Sequence, residues 1–277
     1  MKLAALVILY EPPDNVFNNI NTYINEIDFL YIIDNSLISK NYIPDNYNKK
    51  VSYTHNNSND GIAKSLNRAI ALCKKDGFNR LLTMDQDSSF NKDSLQNYLR
   101  LVEQEKEPEL ISMFGIRYKA LKIDDNSGTL YNQLLITSGS IINVELAIDI
   151  NGFDENLFID GVDTEFCLKS FKKGFKTVCY NQIYLNHLIG EEKKVRTLLL
   201  KREKRSYHTP HRLYYIVRNH LYLKDKYTEL QTFSINWIIL NEIKNCILYG
   251  NDLFKYISAI LLAFKHYKNR EYGKQNL

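Results

Sequence analysis

Four short apolar runs, three of which end at a polar or acidic stop, constrain this chain more than any other feature. Residues 3–10 are continuous and apolar, as a central strand buried on both faces requires. Residues 29–33, 51–54 and 80–84 repeat the pattern in shorter form, and stretches 14–26, 60–75 and 92–105 between and after them read as helices. Strands alternating with helices predict an α/β layer on a mostly parallel sheet. In such sheets ligands lie at the carboxyl ends of the strands. Tyr10-Glu11, Asp34-Asn35 and Asp85-Gln86-Asp87 all fall there.

The second half reads differently. Residues 110–117, 118–123 and 134–137 are expected as strands, with a loop at 124–128. A short helix at 144–150, a helix at 163–173 and a strand at 177–184 follow. Beyond residue 193 the expectation is almost entirely helical. Leu253, Ile257, Ile260, Leu261 and Phe264 form an amphipathic stripe there.

Hydrophobic residues at 44% and charged residues at 25% exclude wholesale disorder, and a net charge of +4 does not point to nucleic acid. The charge is local: residues 188–226 hold eleven Lys or Arg against four acids, a larger surplus than the whole chain has. Cys73, Cys167, Cys179 and Cys246 are scattered and read as reduced, mostly buried thiols of a cytoplasmic protein. The apolar N-terminal run ends in Tyr-Glu-Pro-Pro rather than a small-residue cleavage site, so it is read as a strand. No apolar run approaches the roughly 18 residues of a membrane span.

Each candidate site has a plain alternative. Asp34 can accept a hydrogen bond from a base or ribose, or make an Asx turn. Asn59 or Asp60 can cap the helix that follows, and Lys64, Asn67 and Arg68 share its polar face. A helix N-terminus with a lysine nearby suits a diphosphate, and equally it is a well-capped surface helix. Asp85 and Asp87 sit on alternate positions of an extended segment, so one can reach a metal while the other reaches sugar or ribose. Asp163 and Glu165 lie about 200° apart around a helix, whereas Asp163 aligns with Cys167. There Asp163 is either a general base or an N-cap. His187 is a metal ligand only if it meets Asp87 across the cleft.

The order of the motifs carries more than any one of them. VILYEP, IIDNS, NDGIAKSLN, LLTMDQDSSF, TSGSIIN, GFDENLFIDGVDTEFCLK, NHLIGE and HTPHRLYYIVRN run collinearly over residues 3–222. The series resembles the family 2 glycosyltransferases, and within them the bacterial rhamnosyltransferase branch. The resemblance implies a GT-A fold and an inverting, metal-dependent transfer from a nucleotide diphosphate sugar, with dTDP-rhamnose the best match. It implies a catalytic domain at 1–190, with a nucleotide-sugar half to about 108 and an acceptor half from 109, and a basic helical extension at 191–277. Tyr10, Asp34, Gly61, Lys64, Asp85, Gln86 and Asp87 would hold the donor. Asp87 and His187 would hold Mg²⁺ or Mn²⁺, and Asp163 would be the base. Ser138, Gly139, Asp160, Glu165 and Arg212 would make acceptor or other contacts. Glu11 stands where asparagine often follows the tyrosine, and Lys169 where arginine is common.

The basic segment at 190–209 is either a lid, with His208 and Arg212 near phosphate, or a solvated charge run. The apolar face of the last helices, flanked by Lys255, Lys265, Lys268 and Arg270, suits an anionic membrane carrying a lipid-linked saccharide acceptor. Alternatively it packs on the catalytic domain or on a second subunit, as in a homodimer. Rival readings are another donor, such as a UDP-hexose or UDP-galactofuranose, and a non-catalytic nucleotide-sugar-binding partner.

Overall fold

The computed structural model describes residues 1–39, 50–118, 128–186, 192–196, 202–206, 208–230, 239–241, 243–245 and 252–275. The chain forms two compact units: Met1–Glu155 with Val162–His187, and Asn156–Gly161 with Leu188–Leu277.

The first unit is built on one sheet. Its strands are β1 (Leu3–Leu9), β2 (Phe29–Asp34), β3 (Val51–His55), β4 (Arg80–Asp85), β5 (Ser89–Phe90), β6 (Ile111–Tyr118), β7 (Thr129–Tyr131), β8 (Ser140–Asn143) and β9 (Lys176–Asn186). They lie in the order β3-β2-β1-β4-β8-β6-β9-β5, with β7 also on β9. The four strands read as parallel from their apolar runs are parallel, and β6 runs parallel to β9. β8 enters antiparallel between β4 and β6, which sets Ser140 beside Thr83. The loop before β8 is thereby delivered to the carboxyl end of β4, where the acids are.

Helices α1 (Val16–Ile20), α2 (Ile62–Asp76), α3 (Ser94–Glu103), α4 (Val144–Asp149) and α5 (Val162–Lys172) complete this unit. α2 presents Leu66, Ala69, Ile70 and Cys73 to the core and stops at Gly77, whose left-handed φ of 80° closes the end. Asn143 caps α4 by accepting from Leu146 N. Cys73, Cys167 and Cys179 are buried free thiols.

Four expectations differ from the structure. Residues 14–26 are the short α1 and a 3₁₀ turn at Ile24–Glu26 rather than one helix. The Thr22 hydroxyl competes for the backbone there, donating to Asn19 O at 2.6 Å. α2 begins at Ile62 with Gly61 at its N-cap and no side-chain cap. Asn59 instead makes an Asx turn by accepting from Gly61 N, and Asp60 accepts from the Ser58 hydroxyl. Residues 134–137 are not a strand. Leu135 is buried against Gly115, where a Cβ would come within 2.8 Å of its side chain, so burial here comes without a sheet ladder. Of the strand expected at 118–123, Tyr118 closes β6 and the rest lies outside the described residues.

In the second unit the fourth difference appears: β10 (Glu192–Arg196) and β11 (Arg202–Ser206) form an antiparallel hairpin where helix was expected. These strands consist almost wholly of Lys, Arg and Glu, so no apolar alternation marks them. α6 (Pro210–Lys226) follows, with Thr209 accepting from Arg212 N as its cap and proline in the first turn. α7 (Leu253–Lys268) packs on α6. It buries Tyr256 and Ala263, while Leu253, Phe254, Ile257, Leu261 and Phe264 are exposed, Phe254 at 83%. Among the described residues, no helix is long and apolar enough to cross a membrane.

Candidate active site

At the carboxyl end of the parallel strands, β4 runs into the turn Asp85-Gln86-Asp87-Ser88. The turn is fastened from three sides. Ser138 supports it from the loop before β8: Asp85 N donates to Ser138 Oγ at 3.2 Å, and the Ser88 and Ser138 hydroxyls pair at 2.7 Å. Thr83 donates its hydroxyl to Thr137 O and Ser140 O, and Gly139 N donates to Thr83 O. Gly139 has φ +75°, and a Cβ there would meet Leu185 at 2.9 Å. Ser138 and Gly139, expected to make acceptor or other contacts, are thus placed against the acidic turn.

Gln86 is the second fastening. Its amide accepts from Tyr10 N at 3.0 Å and donates to Tyr10 O at 3.1 Å, a two-point pairing with the main chain at the end of β1. Asn19 Nδ2 donates to Gln86 O at 2.9 Å, a contact no sequence pattern announced. The Tyr10 side chain stays exposed, as does Asp87. The third fastening is β9. Asn186 pairs with Ser89 and donates to Asn91 Oδ1 at 2.9 Å. The chain therefore reaches Asn186 only two residues from Asp87 along the strand pairing; His187 itself lies outside the described residues.

Asp34 sits at the equivalent end of β2 yet is only 2% exposed. Its Oδ1 accepts from Ser36 N at 2.8 Å, the Asx turn weighed from sequence, and its Oδ2 accepts from the Tyr53 hydroxyl at 2.5 Å. Burial, with the Asp34 carboxylate adding to it, pushes the Tyr53 phenol up to about 12. Asn35, buried beside it, donates to Gly61 O and Ser65 Oγ and accepts from Asn56. These bonds hold Gly61 at φ +83° where α2 begins.

The shared polar face expected for Lys64, Asn67 and Arg68 is divided among three partners. Lys64 pairs with Asp60 at 2.9 Å, and Arg68 donates to Asn56 Oδ1 at 2.7 Å. Asn67 turns to the GFDE segment: it accepts from Phe153 N and donates to Phe153 O and Glu155 Oε1.

Asp163 lies in the first turn of α5, partly exposed, and accepts from Thr164 N at 2.8 Å. Its carboxylate adds to the burial that holds the Tyr118 phenol above its usual range. Burial first, and the Asp163 and Glu165 charges after it, push the Cys167 thiol up to about 12. Glu165 is 0% exposed and pairs with Lys169 at 3.2 Å. Lysine at 169 therefore serves a single-point contact with a buried carboxylate. In the second unit, Asp160 Oδ1 accepts from Arg212 Nε and Nη2 at 3.2 and 3.1 Å. Burial, and the charge of Arg212 after it, holds the His208 imidazole below its ordinary value.

Among the described residues, no three His, Cys, Asp or Glu side chains gather to hold a metal unaided. The donors present at the turn are hard carboxylate oxygens, which suit a divalent cation that completes its shell with phosphate oxygens and water.

Residues 14–131 match the family model described as Glycosyl transferase family 2. A curated relative, dTDP-rhamnosyl transferase RfbF of Shigella flexneri, is 25% identical over 284 residues, spanning 94% of this chain and 93% of its own. Among solved structures, S. aureus TarS 1–349 in complex with UDP-GlcNAc matches with a TM-score of 0.58 at 14% identity, covering 98% of this chain and 82% of that one. Another S. aureus TarS crystal structure matches with a TM-score of 0.59 at 15% identity, covering 96% of this chain and 49% of that one. The TarS likenesses show the fold alone, an α/β sheet of GT-A-like form, and over residues 14–131 the chain is similar to the family 2 glycosyltransferases.

Proposed function

We propose that the protein is an inverting rhamnosyltransferase that takes L-rhamnose from dTDP-rhamnose to a saccharide or lipid-linked saccharide in cell-surface polysaccharide synthesis. The observation that carries this reading is the likeness to a dTDP-rhamnosyl transferase over nearly the full length of both chains. In this reading residues 1–190 are the catalytic domain and 191–277 an extension.

Tyr10 and Asp34 contact the nucleoside, with Asp34 oriented by Ser36 and Tyr53. Gln86 holds the Tyr10 segment and the acidic turn in register. Lys64 and the start of α2 face the diphosphate. Asp87 and His187 would hold Mg²⁺ or Mn²⁺, and the pairing of Asn186 with Ser89 supports that choice. Such a cation would neutralise charge developing on the departing diphosphate.

Asp163 takes the proton of the acceptor hydroxyl as its oxygen bonds to C1 and the C1–O bond to the diphosphate breaks. Attack from the face opposite the leaving group inverts the anomeric centre. One carboxylate suffices, whereas a double displacement needs an enzyme nucleophile. Asp160, braced by Arg212, faces the acceptor. The exposed apolar face of α7, beside Lys255, Lys265 and Lys268, rests on an anionic membrane that presents a lipid-linked acceptor. Flotation with liposomes of anionic and neutral lipid tests this contact, and absence of binding to both removes it.

The donor is tested by thermal shift and turnover with metal, comparing dTDP-rhamnose with UDP-sugars. Stabilisation and rhamnosyl transfer with dTDP-rhamnose are expected. Turnover of a UDP-hexose, UDP-galactofuranose or UDP-GlcNAc instead would install the second reading, for which the TarS fold likeness speaks.

A further inference from the structure

The HRLYYIVRN motif ends in two residues that the reaction, as drawn, does not use. Both are fully buried on α6, and both donate to main-chain carbonyls of one loop. The two hydrogens of Asn219 Nδ2 are shared among three carbonyls: Leu157 O at 2.8 Å, Ile159 O at 2.7 Å and Asp160 O at 2.8 Å. Arg218 donates from Nη2 to Asn156 O at 3.2 Å and from Nη1 to Gly273 O at 2.8 Å, while its Nε donates to Asn219 Oδ1. Gly273 N returns a bond to Asn156 O at 2.7 Å, so the segment around Tyr272 closes the other side of the loop.

Arg218 makes no ion pair among the described residues. Its charge is met by carbonyl dipoles, the Tyr214 hydroxyl, and the faces of Tyr214, Tyr215 and Tyr272 at 5.0 to 6.0 Å. Burying a guanidinium is costly unless its donors are used, so this grip is not incidental packing. The loop it holds is strained. Phe158, Asp160 and Gly161 have φ of 59°, 60° and 79°, a backbone region that Phe and Asp rarely adopt.

We infer that Arg218 and Asn219 are positioning residues for glycosyl transfer. Through main-chain carbonyls they fix the loop that presents Asp160 and runs directly into α5, whose second residue is Asp163. The inference rests on the proposed acceptor role of that loop. It gives the motif a duty distinct from contact with substrate.

The test compares wild type with Asn219→Asp, which keeps the shape but loses the Nδ2 donor, and with Arg218→Lys, which keeps the charge but loses the fork. All are studied at a temperature where circular dichroism shows them folded. Amide hydrogen exchange of residues 156–161 should rise at least tenfold in each variant, and an unchanged rate overturns the clamp whatever the substrate proves to be. With dTDP-rhamnose, donor affinity should stay within twofold of wild type while kcat/KM for the acceptor falls at least tenfold. A merely structural role would lower both together. Faster exchange with unaltered acceptor kinetics overturns the link to transfer. A wild type inactive with every nucleotide sugar would sink the proposed function, and the exchange measurement would still judge the clamp. If Asn219→Asp does not fold, Arg218→Lys carries both measurements.

Discussion

The turn at Asp85–Ser88 presents two acids and the loop at Asn156–Gly161 one, and they are held by opposite means. The turn is short and is fastened by neighbouring strands and loops, through the Ser138 hydroxyl, the Gln86 amide and the pairing of β5 with β9. The loop is held by two consecutive residues of one helix, acting on its carbonyls. In both cases the main chain takes the structural bonds. Asp34 is the contrast within the first unit, because both of its carboxylate oxygens already accept from the protein. A carboxylate employed that way orients and recognises.

The comparison breaks most sharply at Asp163. Asp163→Asn is expected to lower kcat by about 10²–10⁴ while leaving donor affinity intact, read by steady-state transfer and by calorimetry with the nucleotide sugar. Near wild-type turnover would mean the base lies elsewhere. Next comes the turn. Gln86→Met removes both bonds to Tyr10, each worth about 0.5–1.5 kcal/mol. Donor KM should rise on the order of tenfold with little change in kcat, and an unaltered donor KM would show that Tyr10 needs no such brace.

Gly152→Ala probes the joint between the two regions in the sequence, where Asn67 holds Phe153. An added Cβ would stand 2.3 Å from Asn67 Oδ1 at a φ of +61°. A cost of about 1–3 kcal/mol, and a fall in Tm on the order of 5 °C, is expected by scanning calorimetry.

The smallest effect concerns pH. Burial holds His220 below its ordinary value of 6.5, despite the nearby Asp160, and His208 is lowered likewise. The unfolded chain takes up protons as pH falls through 6.5 while the folded chain does not, so stability present above 6.5 is lost below it. Wild-type Tm should fall from pH 7 to pH 5, and His220→Gln should show a shallower fall. An equal fall would assign the loss to other groups.

Much of this was legible in the sequence. The apolar runs at 3–10, 29–33 and 80–84 are strands because burial on both faces leaves no other composition open to them. Their acidic ends marked the site edge for the same reason. What stayed hidden depends on partners remote in the chain. Ser138 and Asn19 are ordinary polar residues until the sheet order brings them to the acidic turn. The β10–β11 hairpin has no apolar alternation to announce it. Leu135 looks like a strand residue because it is buried, yet its own NH donates to Cys167 Sγ rather than to a neighbouring strand. The Arg218-Asn219 pair stood out as a motif, but its acceptors are carbonyls, which no side-chain pattern reveals.

The absence of a carboxylate partner for Arg218 among the described residues has a consequence for working conditions. A guanidinium does not titrate in the accessible range, and neither do peptide carbonyls or aromatic faces. Salt screens exposed charges far more than buried ones. The Arg212–Asp160 pair, whose arginine is 45% exposed, is therefore open to ionic strength, while the buried bonds from Arg218 and Asn219 to carbonyls are far less so. A salt series on the enzyme should loosen the orientation of the acid long before it disturbs the loop on which the acid stands.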